Sequence, residues 1–420
     1  MQARNSRAVW SWAAYDWANS VYATTVLAGF FPVFFKQYWA AGLSVNESTF
    51  WLGMANAAAG LIVALMAPLL GAVADQGGLK KRFLLLFTFL GILMTAVLFW
   101  VAQGAWMFAV CLFVLGAVGF SGGIVFYDAM IVDVSESRDF DRVSAFGYAL
   151  GYIGGGLLFA VNVLMTLYPA WFGLADKVEA VRWSFLSVAL WWAVFTVPLI
   201  LFVHEHGEAK EVRLLASMRA GWGQFRDTFR HVRGLRVVFT FLLAYFLYID
   251  GVGTVIRMAV DYGLSLGFDS SILMSALLLT QFVAFPAALA WGWIGGKWGA
   301  KRSILFCVGI YILVCFWGYG MTTAMDFYLL ACVIGLVMGG IQALSRSLYA
   351  RLIPPEQSAE FFGFYNMLGK FAAVLGPMLM GLVSMLSGST RLSILAITVL
   401  FAAGGLLLYH VHEPAAVEVR

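Results

Sequence analysis

Twelve stretches of this chain run for about 20 residues or more with too few charges to rest in water. They lie near 9–39, 49–74, 83–102, 105–132, 143–168, 183–203, 237–262, 270–296, 303–323, 326–350, 361–386 and 391–410. Each is long enough for a helix to cross a bilayer. The runs are continuous rather than alternating, and open strands cannot satisfy their backbone in lipid, so a β-barrel is excluded. Of the 420 residues, 62% are hydrophobic and 11% charged, against about 25% charged in soluble domains. Too little polar surface remains to cover a water-soluble globule. The expected fold class is all-α and integral to the membrane, with twelve transmembrane helices. Arg4 and Arg7 precede the first run and no small-residue cleavage site follows them, so that run is expected to stay as a span.

Lysine and arginine set the expected orientation. With the N-terminus inside, the inner segments hold Lys80, Lys81, Arg82, Arg138, Arg142, Lys297, Lys301, Arg302 and Arg351, while the opposite loops hold little beyond Lys177, Arg182 and Arg391. That bias places both termini in the cytoplasm. The segment 204–236 is basic and amphipathic, with Trp222, Phe225 and Phe229 on one side, and is expected to lie on the anionic inner leaflet rather than on nucleic acid. It divides the chain into 1–203 and 237–420, and the two parts repeat. GAVADQGGLKKR (71–82) matches GWIGGKWGAKR (292–302), SGGIVFYDA (121–129) answers MGGIQALSR (338–346), AFGYALGY (145–152) resembles FFGFYNMLGK (361–370), and VHE recurs at 203–205 and 411–413. Two parallel six-helix repeats predict a transporter with its site at the repeat interface.

GAVADQGGLKKR resembles the loop signature of the major facilitator superfamily, and the resemblance implies two pseudo-symmetric six-helix bundles with Asp75, Lys80 and Lys81 helping to latch one face. Gln76 stands where that signature has arginine and Gly296 where the second copy has aspartate, which implies a one-sided latch. YDWANSVYATTVLAGFFPVFF (15–35), Asp250-Gly251 followed by Thr254, and QALSRS (342–347) resemble the vacuole-effluxer branch, known for autophagy-related vacuolar amino-acid exporters. The drug-antiporter arginine of helix four is absent and the antiporter proline of helix five is missing, although Gly151 and Gly155 are present. Both departures speak against a multidrug antiporter.

Charge at membrane depth costs free energy and marks function or a partner. Trp12, Tyr15, Asp16, Asn19 and Tyr22 fall on one side of an ideal helix. They predict either a wet cavity wall or an interfacial aromatic belt with Asp16 near the helix start. Asp250, Thr254, Arg257 and Asp261 also share a face, either as a proton-coupling group built on Asp250 and Arg257 or as a structural network. Asp16 and Asp128 belong to the first repeat, Arg346 and Lys370 to the second. They predict a charge gate that pairs when the cytoplasmic side closes, with water-accessible pairs of modest strength; the alternative is pairing within one half, such as Arg346 with Gln342. Gly147, Gly151 and Gly155 form a ridge for close helix contact, and Pro32, Pro68, Pro198, Pro286 and Pro377 are expected to kink their helices.

Cys111, Cys307, Cys315 and Cys332 sit in apolar runs and form no CxxC pair, so they read as small core residues. HEH (204–206) and HVH (410–412) lie at helix ends and read as partners of terminal carbonyls rather than metal ligands. There is no P-loop, GxSxG or HExxH, and hence no expected cofactor or enzymatic activity. The leading expectation is a secondary active transporter of small polar solutes such as amino acids, coupled to protons or another ion, monomeric among its lipids in a bacterial inner membrane. Tyr15, Asp16, Asn19, Tyr22, Asp128, Gln342, Arg346 and Lys370 are its expected substrate contacts. The alternatives are a carrier of amphiphiles such as lysolipids or drugs, favoured by lateral openings, and a non-transporting receptor or scaffold.

Overall fold

A computed structural model describes residues 3–205 and 234–412, all helical or in short connections. Most of the basic connector expected at 204–236 lies outside the described residues. Among the described residues, twelve helices are long and apolar enough to cross a membrane. The first, α1, begins at Ala3–Val21 and runs on without a break to Trp39. Then follow α2 (Val45–Gly77), α3 (Lys80–Val97), α4 (Trp106–Ala129), α5 (Phe140–Leu167) and α6 (Lys177–Phe202). The second set is α7 (Arg236–Ser265), α8 (Ser270–Trp298), α9 (Ala300–Gly320), α10 (Ala324–Leu352), α11 (Ser358–Ser387) and α12 (Thr390–Tyr409).

Both described ends lie on one face, here called the terminal face. Lys81 at the start of α3 donates to the Ile200 and Val203 carbonyls at the end of α6 (2.7 Å each). Its repeat counterpart Lys301, at the start of α9, donates to the Tyr409 carbonyl at the end of α12 (2.6 Å). Each lysine satisfies carbonyls that a helix end leaves open. His410 does the same for Leu406 (2.8 Å).

Away from the terminal face, four helix starts are capped locally: Ser44 with Glu47 on α2, Asp176 on α6, Thr323 with Asp326 on α10, and Ser389 on α12. Each cap contributes about 1 kcal/mol. On the terminal face, other helices supply the acceptors. Glu205, beyond the end of α6, accepts from the Lys80 and Lys81 amides that open α3 (2.8 and 2.9 Å). Glu205 is half-buried, and burial pushes its carboxyl above the ordinary range despite those two donors.

The glycine ridge of α5 seats α1. A methyl at Gly147 would stand 3.1 Å from the Trp12 ring, at Gly151 2.6 Å from Ser20 Oγ, and at Gly155 3.0 Å from the Thr24 methyl. Beyond Val21, α1 winds as a π-helix over Tyr22–Phe30 and again over Phe35–Trp39. The wider turn carries its aromatic rings into the first six helices, where Phe31 stacks on Phe113 (4.1 Å) and Trp39 on Phe185 (5.7 Å). Among the cysteines, Cys111 is exposed on α4, contrary to its expected core position; Cys307 and Cys315 are buried and Cys332 is half-buried. Alanine and glycine on the facing sides of α4 leave the outward side of that helix to lipid-facing residues such as Phe108 and Leu115.

Candidate functional site

The two sets of six helices meet most tightly towards the terminal face. Along α2 and α11 the backbones touch: a methyl on Gly71 would overlap the Ala359 backbone, and one on Gly363 would stand 2.7 Å from the Ala67 carbonyl. Further from that face, Gly53 and Gly60 of α2 and Gly381 of α11 meet nothing within 4 Å.

At the centre of this seam sits Arg346 of α10, 1% exposed. Its Nη1 donates to Asp128 Oδ1 of α4 at 3.0 Å and lies 3.9 Å from Asp16 Oδ2 of α1. Its Nε and Nη2 donate to the Ser144 hydroxyl and carbonyl of α5, each at 2.8 Å. The guanidinium also lies over the rings of Tyr148 (4.3 Å), Trp12 (4.9 Å) and Tyr127 (5.3 Å). Every one of these partners belongs to the first six helices, so the arginine pairs across the seam and not with Gln342 of its own helix. Asn366 of α11 adds a second crossing bond, to Asp128 Oδ2 (3.2 Å). Tyr127 and Ser20 donate to the two oxygens of Asp16 (3.2 Å each).

The burial corrects one expectation. The sequence predicts water-accessible pairs of modest strength, yet Asp16 and Asp128 are only 9% and 3% exposed. A buried ion pair carries a desolvation cost of several kcal/mol per ion and holds only when nearly every remaining donor and acceptor is used. Here the fork of Arg346 is spent on Asp128 and Ser144, and three aromatic faces offset the rest of its charge. Gly147 leaves room for it: a methyl there would stand 3.2 Å from Nη2.

Two further bonded groups close the terminal face. Asp75, at the end of α2, accepts from the Ala359 and Glu360 amides that open α11 (3.1 and 2.8 Å). A carboxylate at a helix N-terminus meets both open N–H groups and the positive end of the dipole. Lys80 holds that carboxylate in place, with Nζ 3.8 Å from Asp75 and 3.1 Å from Asp133. Lys81 does not take part in this latch; its ammonium is spent on the end of α6. The latch is not one-sided either. Where Gly296 lacks the repeated carboxylate, Asp141 of α5 instead receives Arg351 of α10 (2.6 Å) and the Ser347 hydroxyl.

The remaining expected residues are dispersed. Tyr15 bonds Thr88 of α3 (2.6 Å), and the Tyr22 ring packs on Phe120 and Trp192. With the buried Asn19 they face the interior of the first six helices and not the seam. The stripe read on α1 is about 120° wide on an ideal helix, so its edges meet different neighbours, and its period is lost once the π-turns begin. Gln342 is half-buried on the α10 stripe that carries Arg346, and Lys370 is half-buried one turn beyond Asn366. Asp250 is fully buried in α7, with Thr254 Oγ1 3.5 Å from Oδ1. A methyl on Gly376 of α11 would overlap Thr254, so this carboxylate sits against the Gly376–Pro377 joint. The side chains of Arg257 and Asp261 lie outside the described residues. Ser144, Asn366, Tyr148 and Asp141 join these contacts without being singled out by the sequence reading, although AFGYALGY and FFGFYNMLGK mark α5 and α11.

The family model described as vacuole effluxer Atg22-like matches residues 39–136 and 132–418. The chain belongs to this vacuole-effluxer family. It is 39% identical over 412 residues to the uncharacterized MFS-type transporter YxiO of Bacillus subtilis, spanning 97% of this chain and 96% of that one. It is 26% identical over 295 residues to autophagy-related protein 22-2 of Aspergillus clavatus, where the match spans 64% of this chain and 48% of the fungal one. Among solved structures, the human organic anion transporter MFSD10 aligns over 97% of this chain and all of its own, with a TM-score of 0.74 and 16% identity. The proton:xylose symporter XylE aligns over 98% of this chain and 95% of its own, with a TM-score of 0.72 and 15% identity. The fold is that of the major facilitator superfamily, and the protein is a multi-pass membrane transporter rather than an enzyme.

Proposed function

We propose that this vacuole-effluxer relative moves small polar solutes, amino acids foremost, by rocking units 1–203 and 237–420 about the seam, with 204–236 as their tether. The observation that carries the reading is the buried Arg346 held by carboxylates of the opposite unit. Alternating access needs two states of similar energy, and a pair that is buried in one state and hydrated in the other supplies a bistable element. When the terminal face opens, Asp16 and Asp128 become acceptors for a substrate ammonium, while Arg346, Gln342 and Lys370 offer donors to its carboxylate. The Asp75 and Asp141 contacts part in the same motion.

Asp250 is the proposed proton-coupling group, with Arg257 on the same helix face setting its charge balance. Its burial against the Gly376–Pro377 joint ties its environment to the bend of α11. The lysine and arginine bias supports a cytoplasmic terminal face, the Bacillus relative supports a bacterial inner membrane, and the proposed working unit is a monomer among lipids. The test is counterflow of labelled amino acids in proteoliposomes, with and without a pH gradient. Gradient-dependent exchange of at least one amino acid is expected; no flux of any of them, with or without the gradient, would reject the reading.

A further inference from the structure

Arg346 occupies a site that the opposite unit builds without it. Its guanidinium lies against Asp128, the Ser144 hydroxyl and carbonyl, and the rings of Trp12, Tyr127 and Tyr148, all from the unit 1–203. That unit holds the parts in place by its own bonds. Trp12 Nε1 donates to the Tyr127 carbonyl (2.9 Å), and the two rings stack at 4.4 Å. Tyr127 and Ser20 fix Asp16 beside them. None of these contacts uses α10, so none is lost when the seam parts.

Parting instead clears the acceptors. The two Asp128 oxygens are taken by Arg346 and Asn366, both of the second unit, and the Ser144 hydroxyl serves Arg346 and the Ala343 carbonyl of α10. With those groups withdrawn, Asp128 offers the two-oxygen edge that a planar guanidinium fork matches. The rings favour the same flat, weakly hydrated cation over a compact ammonium. Charge points the same way. Asp16 and Asp128 line the first unit's wall of the cluster, with Arg346 set against both. A neutral amino acid brings one cationic group to the two carboxylates; a cationic one brings two, and its own carboxylate answers Arg346. A further group stands at the seam. Tyr152, one turn beyond Tyr148 on α5, has its ring 3.0 Å from a methyl built on Gly339 of α10, and its buried hydroxyl has no hydrogen-bond partner among the described residues.

We infer that the vacated site receives a guanidinium, and that the solute class is amino acids of the arginine type. The guanidinium lies on Asp128, Ser144 and the three rings, the α-ammonium on Asp16, and the carboxylate on Arg346 and Tyr152. In the closed state Arg346 takes the place of the solute's side chain. The inference rests on the transport reading for the opening that exposes the site, so binding and exchange are read apart. Equilibrium binding of labelled L-arginine to the purified full-length protein is competed with L-lysine, L-citrulline and L-leucine, and the same solutes are compared in counterflow. Arginine should outcompete citrulline, which has its shape without its charge, by about tenfold or more, with lysine between them. Tyr148→Leu should narrow the arginine-to-citrulline ratio and Tyr148→Phe, which keeps the ring face, should retain it. The ratio cancels any change in how often the seam is open, and the wild-type ratio stands should a variant fail to fold. Lysine, citrulline or leucine bound or exchanged as well as arginine, or in its place, would overturn the guanidinium site and leave amino-acid transport standing. Arginine bound with the expected ratio but never exchanged would keep the site and reject transport. Neither binding nor exchange of any of these solutes would reject both.

Discussion

Replacing Arg346 by glutamine tests the cluster at its centre. The substitution keeps a polar side chain but removes the charge, the 3.0 Å bond to Asp128 and the paired bonds to Ser144. Two carboxylates then remain in a site where each is at most 9% exposed. Leaving one partner of a buried pair uncompensated costs about 3–5 kcal/mol. In the opposite access state water would reach both carboxylates, so the cost falls on the closed state alone. A 99:1 preference for that state is worth about 2.7 kcal/mol, so the substitution should bring the two states to parity or invert them. The assay is a spin-label distance measurement between Arg138→Cys and Glu356→Cys, exposed terminal-face positions on opposite units, with the four native cysteines replaced. Arg346→Gln should make a longer distance the major population, and Arg346→Lys, which keeps charge but not the fork, should give a mixture. An unchanged distance distribution in Arg346→Gln would show that the cluster does not hold the face shut.

Asp75→Ala removes the acceptor for the first amides of α11, and should favour the open terminal face by about 1–2 kcal/mol in the same distance measurement. Gly363→Leu, set against the α2 backbone, should shift the distances the same way without altering charge; a closed face in that variant would contradict the contact between Gly363 and Ala67. Asp250→Asn should abolish the dependence of uptake on a pH gradient while leaving exchange at equal pH, whereas full gradient-driven uptake would remove Asp250 from coupling. Burial raises the Glu205 carboxyl above its unfolded value, so the folded state holds the proton more tightly. Its contribution is greatest below the unfolded value and declines as pH rises through the folded one. Glu205→Gln should therefore flatten the pH dependence of the melting temperature just above the ordinary carboxylate range; superimposable profiles would refute that assignment.

The twelve spans were legible because length and hydropathy alone decide them, and the GAVADQGGLKKR and GWIGGKWGAKR pair carries the repeat. Asp16, Asp128 and Arg346 were legible as well, since charge at depth is rare enough to be conspicuous. The cluster's support was not. Ser144 contributes a hydroxyl and a backbone carbonyl, and no periodicity reveals where a serine at a helix start will meet an arginine 202 residues away. Asp141 was hidden for a related reason, because it stands in for a missing carboxylate at Gly296 from a different helix. Tyr15 and Tyr22 misled because hydrophobic periodicity defines a face but not which neighbour that face meets. The π-turns of α1 then rotate everything beyond Val21 off the ideal wheel.

The account requires the seam to open at the terminal face in every cycle. Arg351 of α10 and Asp141 of α5 meet across the seam at the terminal face, so cysteines at these two positions can be joined by a short, reducible bifunctional thiol reagent. The decisive measurement is counterflow by the Asp141→Cys, Arg351→Cys protein, with native cysteines replaced, before cross-linking, after it, and after reduction. Exchange that stops on cross-linking and returns on reduction is the expected result; a fully cross-linked protein that exchanges solute at the reduced rate would contradict the account.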